Sequence, residues 1–189
     1  DLALLSVSAT DTDAAEPGDN GQFTVALTNP SDQDTVVTYS VTGEATPGED
    51  FTPLTGTVTI LAGETTATLA VSVLDDNILE ETESVTVTID SYTGDPDITI
   101  APAANSSTVT IADDDVASLS IAATDADAAE PGDDGQFTVS LTNPSDQDTV
   151  VTYSVTGTAN GSAPDDFTPL SGTVTILAGE TTATIDVSV

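Results

Sequence analysis

The chain has 189 residues, 33 Asp and Glu and no Lys, Arg or His, giving a formal net charge of -33. Without Lys or Arg it cannot neutralise phosphates, which excludes nucleic-acid binding and docking on anionic membranes. With no Cys or His either, it has no disulfides, no Cys- or His-based zinc site, and no Ser–His, Cys–His or Lys-based nucleophile. What remains is carboxylate chemistry: hard-cation binding, or an acid/base carboxylate pair.

In chain order, alternating Thr/Val runs predict seven strands in the first part of the chain. They are Leu4–Thr10, Gln22–Asn29, Thr35–Gly43, Gly56–Leu61, Thr66–Leu74, Ser84–Asp90 and Ser107–Ala112. Turn signals separate them: Asn29-Pro30-Ser31-Asp32, Ala62-Gly63-Glu64 and Gly94-Asp95-Pro96-Asp97. No segment has a helical period. Aromatics are only 4% and Trp is absent, so the cores must be built from Val, Ile and Leu. Seven short strands at this spacing predict an all-β antiparallel sandwich of about a hundred residues.

The pattern then repeats. Residues 1–43 match residues 115–157 at 36 of 43 positions. After a two-residue insertion, Asp50-Phe51-Thr52-Pro53-Leu54 returns as Asp166-Phe167-Thr168-Pro169-Leu170. Two domains follow, 1–114 and 115–189, the second matching the first only as far as Val73. Both ends read as cuts through a longer tandem array. The second copy, lacking its last strands, is expected to be completed by further chain or a neighbouring molecule.

Strand parity places the acids. In an antiparallel sandwich, the connections after strands one, three, five and seven share one end. Of the 21 acids in residues 1–114, 14 fall at that end and 6 at the other. Converging carboxylates repel one another unless they are protonated or hold a cation. Ca²⁺ takes 6–8 oxygens and suits flexible acidic loops, whereas Mg²⁺ keeps its waters. Solvated loop acids would be scattered evenly; adjacent Asp75-Asp76 and the triplet Asp113-Asp114-Asp115 are not. An EF-hand is excluded, because Asp11-Thr12-Asp13 is followed by Glu16 where the loop needs Gly.

These residues resemble the Calx-beta motif. The resemblance is carried by Asp50-Phe51, Gly56-Thr57-Val58-Thr59-Ile60, Ala62-Gly63-Glu64-Thr65 and Val73-Leu74-Asp75-Asp76 with Glu80 and Glu83. The closing Val109-Thr110-Ile111-Ala112-Asp113-Asp114-Asp115 belongs to it too. The family is known from sodium/calcium exchangers, integrin β4 and large bacterial surface proteins. It implies a seven-stranded, immunoglobulin-like antiparallel sandwich holding Ca²⁺ at one end, near a domain junction. The implied ligands are Glu16, Asp50, Asp75, Asp76, Glu80, Glu83, Asp113, Asp114 and Asp115, with Glu130 and Asp166 in the second copy. Near-identical copies resemble bacterial extracellular arrays. The expected partners are therefore neighbouring repeats of the same chain, or identical chains in a fibre.

Three functions compete. The first is a calcium-stiffened extracellular stalk, adhesin segment or biofilm-matrix fibre at the cell surface. The second is a calcium-dependent sensor or binding module that recruits a protein or glycan. The third is a glycosidase using paired carboxylates, disfavoured because no Trp offers a sugar platform. No enzyme is expected. Asn105-Ser106-Ser107 and Asn160-Gly161-Ser162 match the N-glycosylation sequon, a triplet common by chance. Phe23, Phe51 and Tyr39, which recur as Phe137, Phe167 and Tyr153, are read as packing residues.

Overall fold

The computed structural model describes residues 2–161 and 166–189, and every described element is a strand. Ser162, the last residue of the second sequon, lies outside the described residues. The chain divides into two compact units: 1–76 with 81–114, and 77–80 with 115–189. Among the described residues, no helix is long and apolar enough to cross a membrane.

The first unit contains nine strands: β1 (Ala3–Asp11), β2 (Asp13–Ala15), β3 (Gly21–Leu27), β4 (Thr35–Gly43), β5 (Thr57–Ile60), β6 (Thr66–Val71), β7 (Glu83–Thr93), β8 (Ile98–Ile100) and β9 (Ser106–Ala112). They form two sheets, ordered β6-β3-β1-β8 and β2-β9-β7-β4-β5. Alternation does the sorting. In β3 the side chains of Phe23, Val25 and Leu27 are buried, while Gln22, Thr24 and Ala26 between them are more exposed. From the other sheet, Val37, Tyr39, Val85, Val87, Ile89, Val109 and Ile111 join the same core. Burying Val, Leu or Ile contributes about 1.5–3 kcal/mol per side chain, which lets a chain poor in aromatics hold this fold. The fold is a β-sandwich, and all seven predicted runs are strands.

Two short strands depart from the predicted set. The chain leaves its first sheet just after the first run. The register of β1 with β3 shifts between Ala9 and Asp11, and the chain then crosses to pair in parallel with β9 as β2. A bulge allows this, because an extra unpaired residue bends the strand. The pair Asp11 and Asp13, flanking Thr12, marks the crossing, where apolar alternation fails. Likewise, β8 pairs in parallel with the start of β1. The sandwich is therefore not purely antiparallel.

The second unit contains β10 (Leu119–Asp125), β11 (Gly135–Leu141), β12 (Thr149–Thr152), β13 (Thr173–Ile176) and β14 (Thr182–Val187). They form the sheets β10-β11-β14 and β12-β13. The registers repeat those of the first unit: Phe137 pairs with Ala123 and Ile185 as Phe23 pairs with Ala9 and Leu69. Its buried cluster is small: Val139, Ile176 and Ile185.

Candidate metal centre

The crossing of the first strand builds one group of acids. Glu16 directly follows β2, and its backbone N–H donates to the carbonyl of Ala112 at 3.0 Å. That bond pins Glu16 beside the residue preceding Asp113. A tight turn holds it there, with Asp19 N–H donating to Ala15 O at 2.7 Å and Ala15 N–H returning to Asp19 O at 2.8 Å. Gly18 takes φ +127, a conformation that residues with a Cβ rarely adopt. As a result, one carboxylate oxygen from each of Glu16, Asp113, Asp114 and Asp115 lies within 4.8 Å of the others. Glu16 is buried, Asp113 and Asp115 are half-buried, and Asp114 is exposed.

The loop after β4 builds a second group. Phe51 is fully buried and anchors it. On either side the backbone is clamped: Thr52 N–H donates to Ser72 O at 2.8 Å, and Leu74 N–H donates to Asp50 O at 2.9 Å. Asp50 is itself buried, and its Oδ2 accepts the N–H of Thr46. Its carboxylate converges with those of Glu80 and Glu83, again with one oxygen from each within 4.8 Å of the others.

Among the described residues these are the two convergent groups of three or more acids. They gather seven of the eleven residues named from the sequence. Asp75 and Asp76 belong to neither group. Glu130 and Asp166 are exposed and belong to neither. Asp166 does repeat the self-cap of Asp50, its Oδ2 accepting the N–H of Asn160 at 2.7 Å. The same carboxylate-to-main-chain bond thus recurs at Asp166, and among the described residues no group of three or more acids includes it.

The donor set is chemically narrow. Each group is made of carboxylate oxygens, with no imidazole or thiolate available anywhere in the chain. Such sites select hard cations. Three or four carboxylates supply part of the 6–8 oxygens that Ca²⁺ takes, leaving backbone carbonyls or water for the rest.

The Calx-beta domain family matches residues 1–115 and again 113–189. The chain belongs to the Calx-beta family. Its two matches cover the two repeats and meet in the Asp113–Asp115 triplet of the first acidic group. Solved structures with a similar fold include the apo form of the Calx CBD1 domain, at 19% identity and TM-score 0.49, covering 61% of this chain and all of that one. The CBD12 structure of CALX1.2 is 19% identical with TM-score 0.47, covering 96% of this chain and 74% of that one. A two-domain protein of unknown function from Bacteroides fragilis is 11% identical with TM-score 0.41, covering 99% and 88%. No curated protein matches this chain significantly. The family assignment rests on the two sequence matches.

Sequence reasoning selected acids and missed the backbone that aims them. The Glu16–Ala112 and Asp50–Leu74 hydrogen bonds leave no mark on composition. The one available signal was the broken alternation at Asp11-Thr12-Asp13, where the first strand changes sheets and delivers Glu16 to the end of β9.

Proposed function

We propose that this chain is a calcium-binding structural module of an extracellular repeat protein. The observation that carries the reading is the convergence of Glu16 with Asp113, Asp114 and Asp115 in a chain without a single basic side chain. Like charges this close are relieved by protonation or by a bound cation, and no side chain of the chain carries a positive charge. Another solved structure of similar fold, the calcium binding domain CBD12 of CALX1.1, is named for the same ion.

Each bound Ca²⁺ offsets two charges of a self-repelling chain and fixes loops that are distant in sequence. Along an array of repeats, this converts hinges into stiff links, so the module serves as part of a stalk, an adhesin segment or a fibre at the cell surface. Its partners are neighbouring repeats or identical chains. The module performs no catalysis in this reading; its work is mechanical.

The test is calorimetric. Chelated protein is titrated with Ca²⁺ and, separately, with Mg²⁺, while binding heat and thermal midpoint are followed. The expected result is saturable Ca²⁺ binding, a raised midpoint, and a much weaker response to Mg²⁺. An unchanged midpoint in saturating Ca²⁺ would refute the reading. Calcium-dependent capture of one defined glycan or protein, with no gain in stiffness, would favour the sensor alternative.

A further inference from the structure

Away from both acidic groups, side chains bridge the first strand of each repeat to its neighbour. In the second unit, the register of β10 with β11 shifts between Ala123 and Asp125. The bulge leaves Thr124 without a register partner and re-aims its side chain. Its hydroxyl donates to Oε1 of Gln136 at 3.3 Å and lies 3.0 Å from the hydroxyl of Thr138. The other end of the amide is held too, with Gln136 Nε2 donating to Oδ1 of Asp186 at 2.7 Å. A hydroxyl nucleophile, an amide carbonyl and a carboxylate on the leaving nitrogen thus meet on one face of the sheet β10-β11-β14.

The first unit repeats this arrangement with one part changed. Thr10 sits in the same bulge, donates to Gln22 Oε1 at 3.3 Å and lies 3.0 Å from the Thr24 hydroxyl. Opposite Gln22, however, stands Ala70, where Asp186 stands opposite Gln136. Ala70 offers no carboxylate to the amide nitrogen. The two units therefore hold the same nucleophile and the same amide, and differ in the acid.

We propose that Thr124 and Gln136 form an intramolecular ester cross-link between β10 and β11, with Asp186 as the catalytic proton carrier. Thr124 Oγ1 bonds to Gln136 Cδ, and the Cδ–Nε2 bond breaks. The hydroxyl proton ends on the departing nitrogen, carried by Asp186, which is already hydrogen-bonded to it. One alcohol and one primary amide become one ester and one ammonia, so atoms and electrons balance without a co-reactant. When the Thr138 hydroxyl accepts the Thr124 hydrogen bond, a lone pair of Thr124 Oγ1 is left to face the amide. Holding both groups in the fold replaces a bimolecular encounter. The ammonia is protonated and diluted by solvent, which draws the step forward. It occurs once per chain and uses neither acidic group, so it goes beyond cation binding and does not depend on it.

The experiment follows the intact mass of the full chain by high-resolution mass spectrometry during incubation, in chelator and in calcium. Cleavage before Asp127 and Asp133 then separates Thr124 from Gln136 unless the two are joined. The expected result in both conditions is loss of one ammonia, with the two peptides linked through these residues. Thr124→Val keeps the full mass. Asp186→Ala slows the loss by about a hundredfold or more. Ala70→Asp adds a second loss, mapped to Thr10 and Gln22. All three positions are exposed, and mapping of the unsubstituted chain keeps the test valid should a variant misfold. A chain that keeps its full mass overturns the proposal. So does ammonia loss mapped only to Asn20-Gly21 or Asn160-Gly161, where backbone attack on the Asn side chain gives a succinimide. Hydrolysis of the Gln136 amide with Thr124 left free overturns it too, because water is then the nucleophile. A cross-link in a chain that ignores calcium would sink the calcium reading and leave this one standing.

Discussion

Neutralising one exposed acid should reverse its effect on stability according to calcium. Asp114 is exposed, so Asp114→Asn disturbs no core packing. Its carboxylate lies within 4.8 Å of those of Glu16, Asp113 and Asp115. Two unit charges at that distance repel by about 0.9 kcal/mol at the dielectric of water. Physiological salt, with a Debye length of about 8 Å, roughly halves this. Three such pairs leave about 1–2 kcal/mol of repulsion that the substitution removes. Each kcal/mol moves the midpoint of a domain near this size by about 4–8 °C. In chelator, then, Asp114→Asn should raise the midpoint by roughly 5–15 °C. In calcium the sign inverts. At a hundredfold excess over Kd an ion stabilises by about 2.7 kcal/mol, and a variant binding it a hundredfold more weakly keeps only about 0.4. Scanning calorimetry of both proteins in both conditions decides. A shift in the same direction with and without calcium, or no shift, would refute the claim that these acids form a cation site.

Two further outcomes follow from the packing. Gly43→Ala places a Cβ 1.9 Å from Ser84 O at φ +143, and should cost about 2 kcal/mol or more; Gly157→Ala should be near neutral, and urea denaturation of the pair checks the contrast. Phe51→Ala removes a fully buried ring and should cost about 3–5 kcal/mol. It should also weaken calcium binding, because the ring anchors the backbone of Asp50. Calcium titration of Phe51→Ala at low temperature, where the chain is folded, separates the two effects; unchanged affinity would dissociate Phe51 from the site.

Alternation carried most of the fold. A strand with Val at every second position can bury one face only, so Val85-Thr86-Val87-Thr88-Ile89 reads as β7 from sequence alone. What alternation does not encode is pairing between strands far apart in the chain. The parallel contacts of β2 with β9 and β8 with β1 depend on a bulge and on three-residue runs, too short to leave a period. The acids divide in the same way. Asp113-Asp114-Asp115 stands out by repetition, and Glu16 and Asp50 only by family resemblance. Their convergence comes from main-chain bonds to Ala112 and Leu74, which any side chain would permit. Asp75 and Asp76 show the converse: an adjacent pair prominent in sequence that joins neither convergent group.

A chain without Cys has no disulfide, and in the proposed function its acidic groups would take the place of one. Glu16 and Asp113 lie nearly a hundred residues apart, and Asp50 and Glu83 more than thirty. An ion held by both ends of such a loop ties the chain as a disulfide would. The difference is thermodynamic. A disulfide constrains the unfolded chain at any ionic composition, whereas an ion that binds only the folded state stabilises in proportion to the logarithm of its concentration. Unfolding free energy should therefore rise by about 1.4 kcal/mol for each tenfold increase in free calcium, for each ion whose binding requires the fold. The slope counts the linked ions. If both groups bind independently above their dissociation constants, it approaches about 2.8 kcal/mol per decade. Urea unfolding at buffered calcium concentrations measures it. A flat dependence would mean that these acids stay close without being tied by a cation, and the cross-link argument would fall.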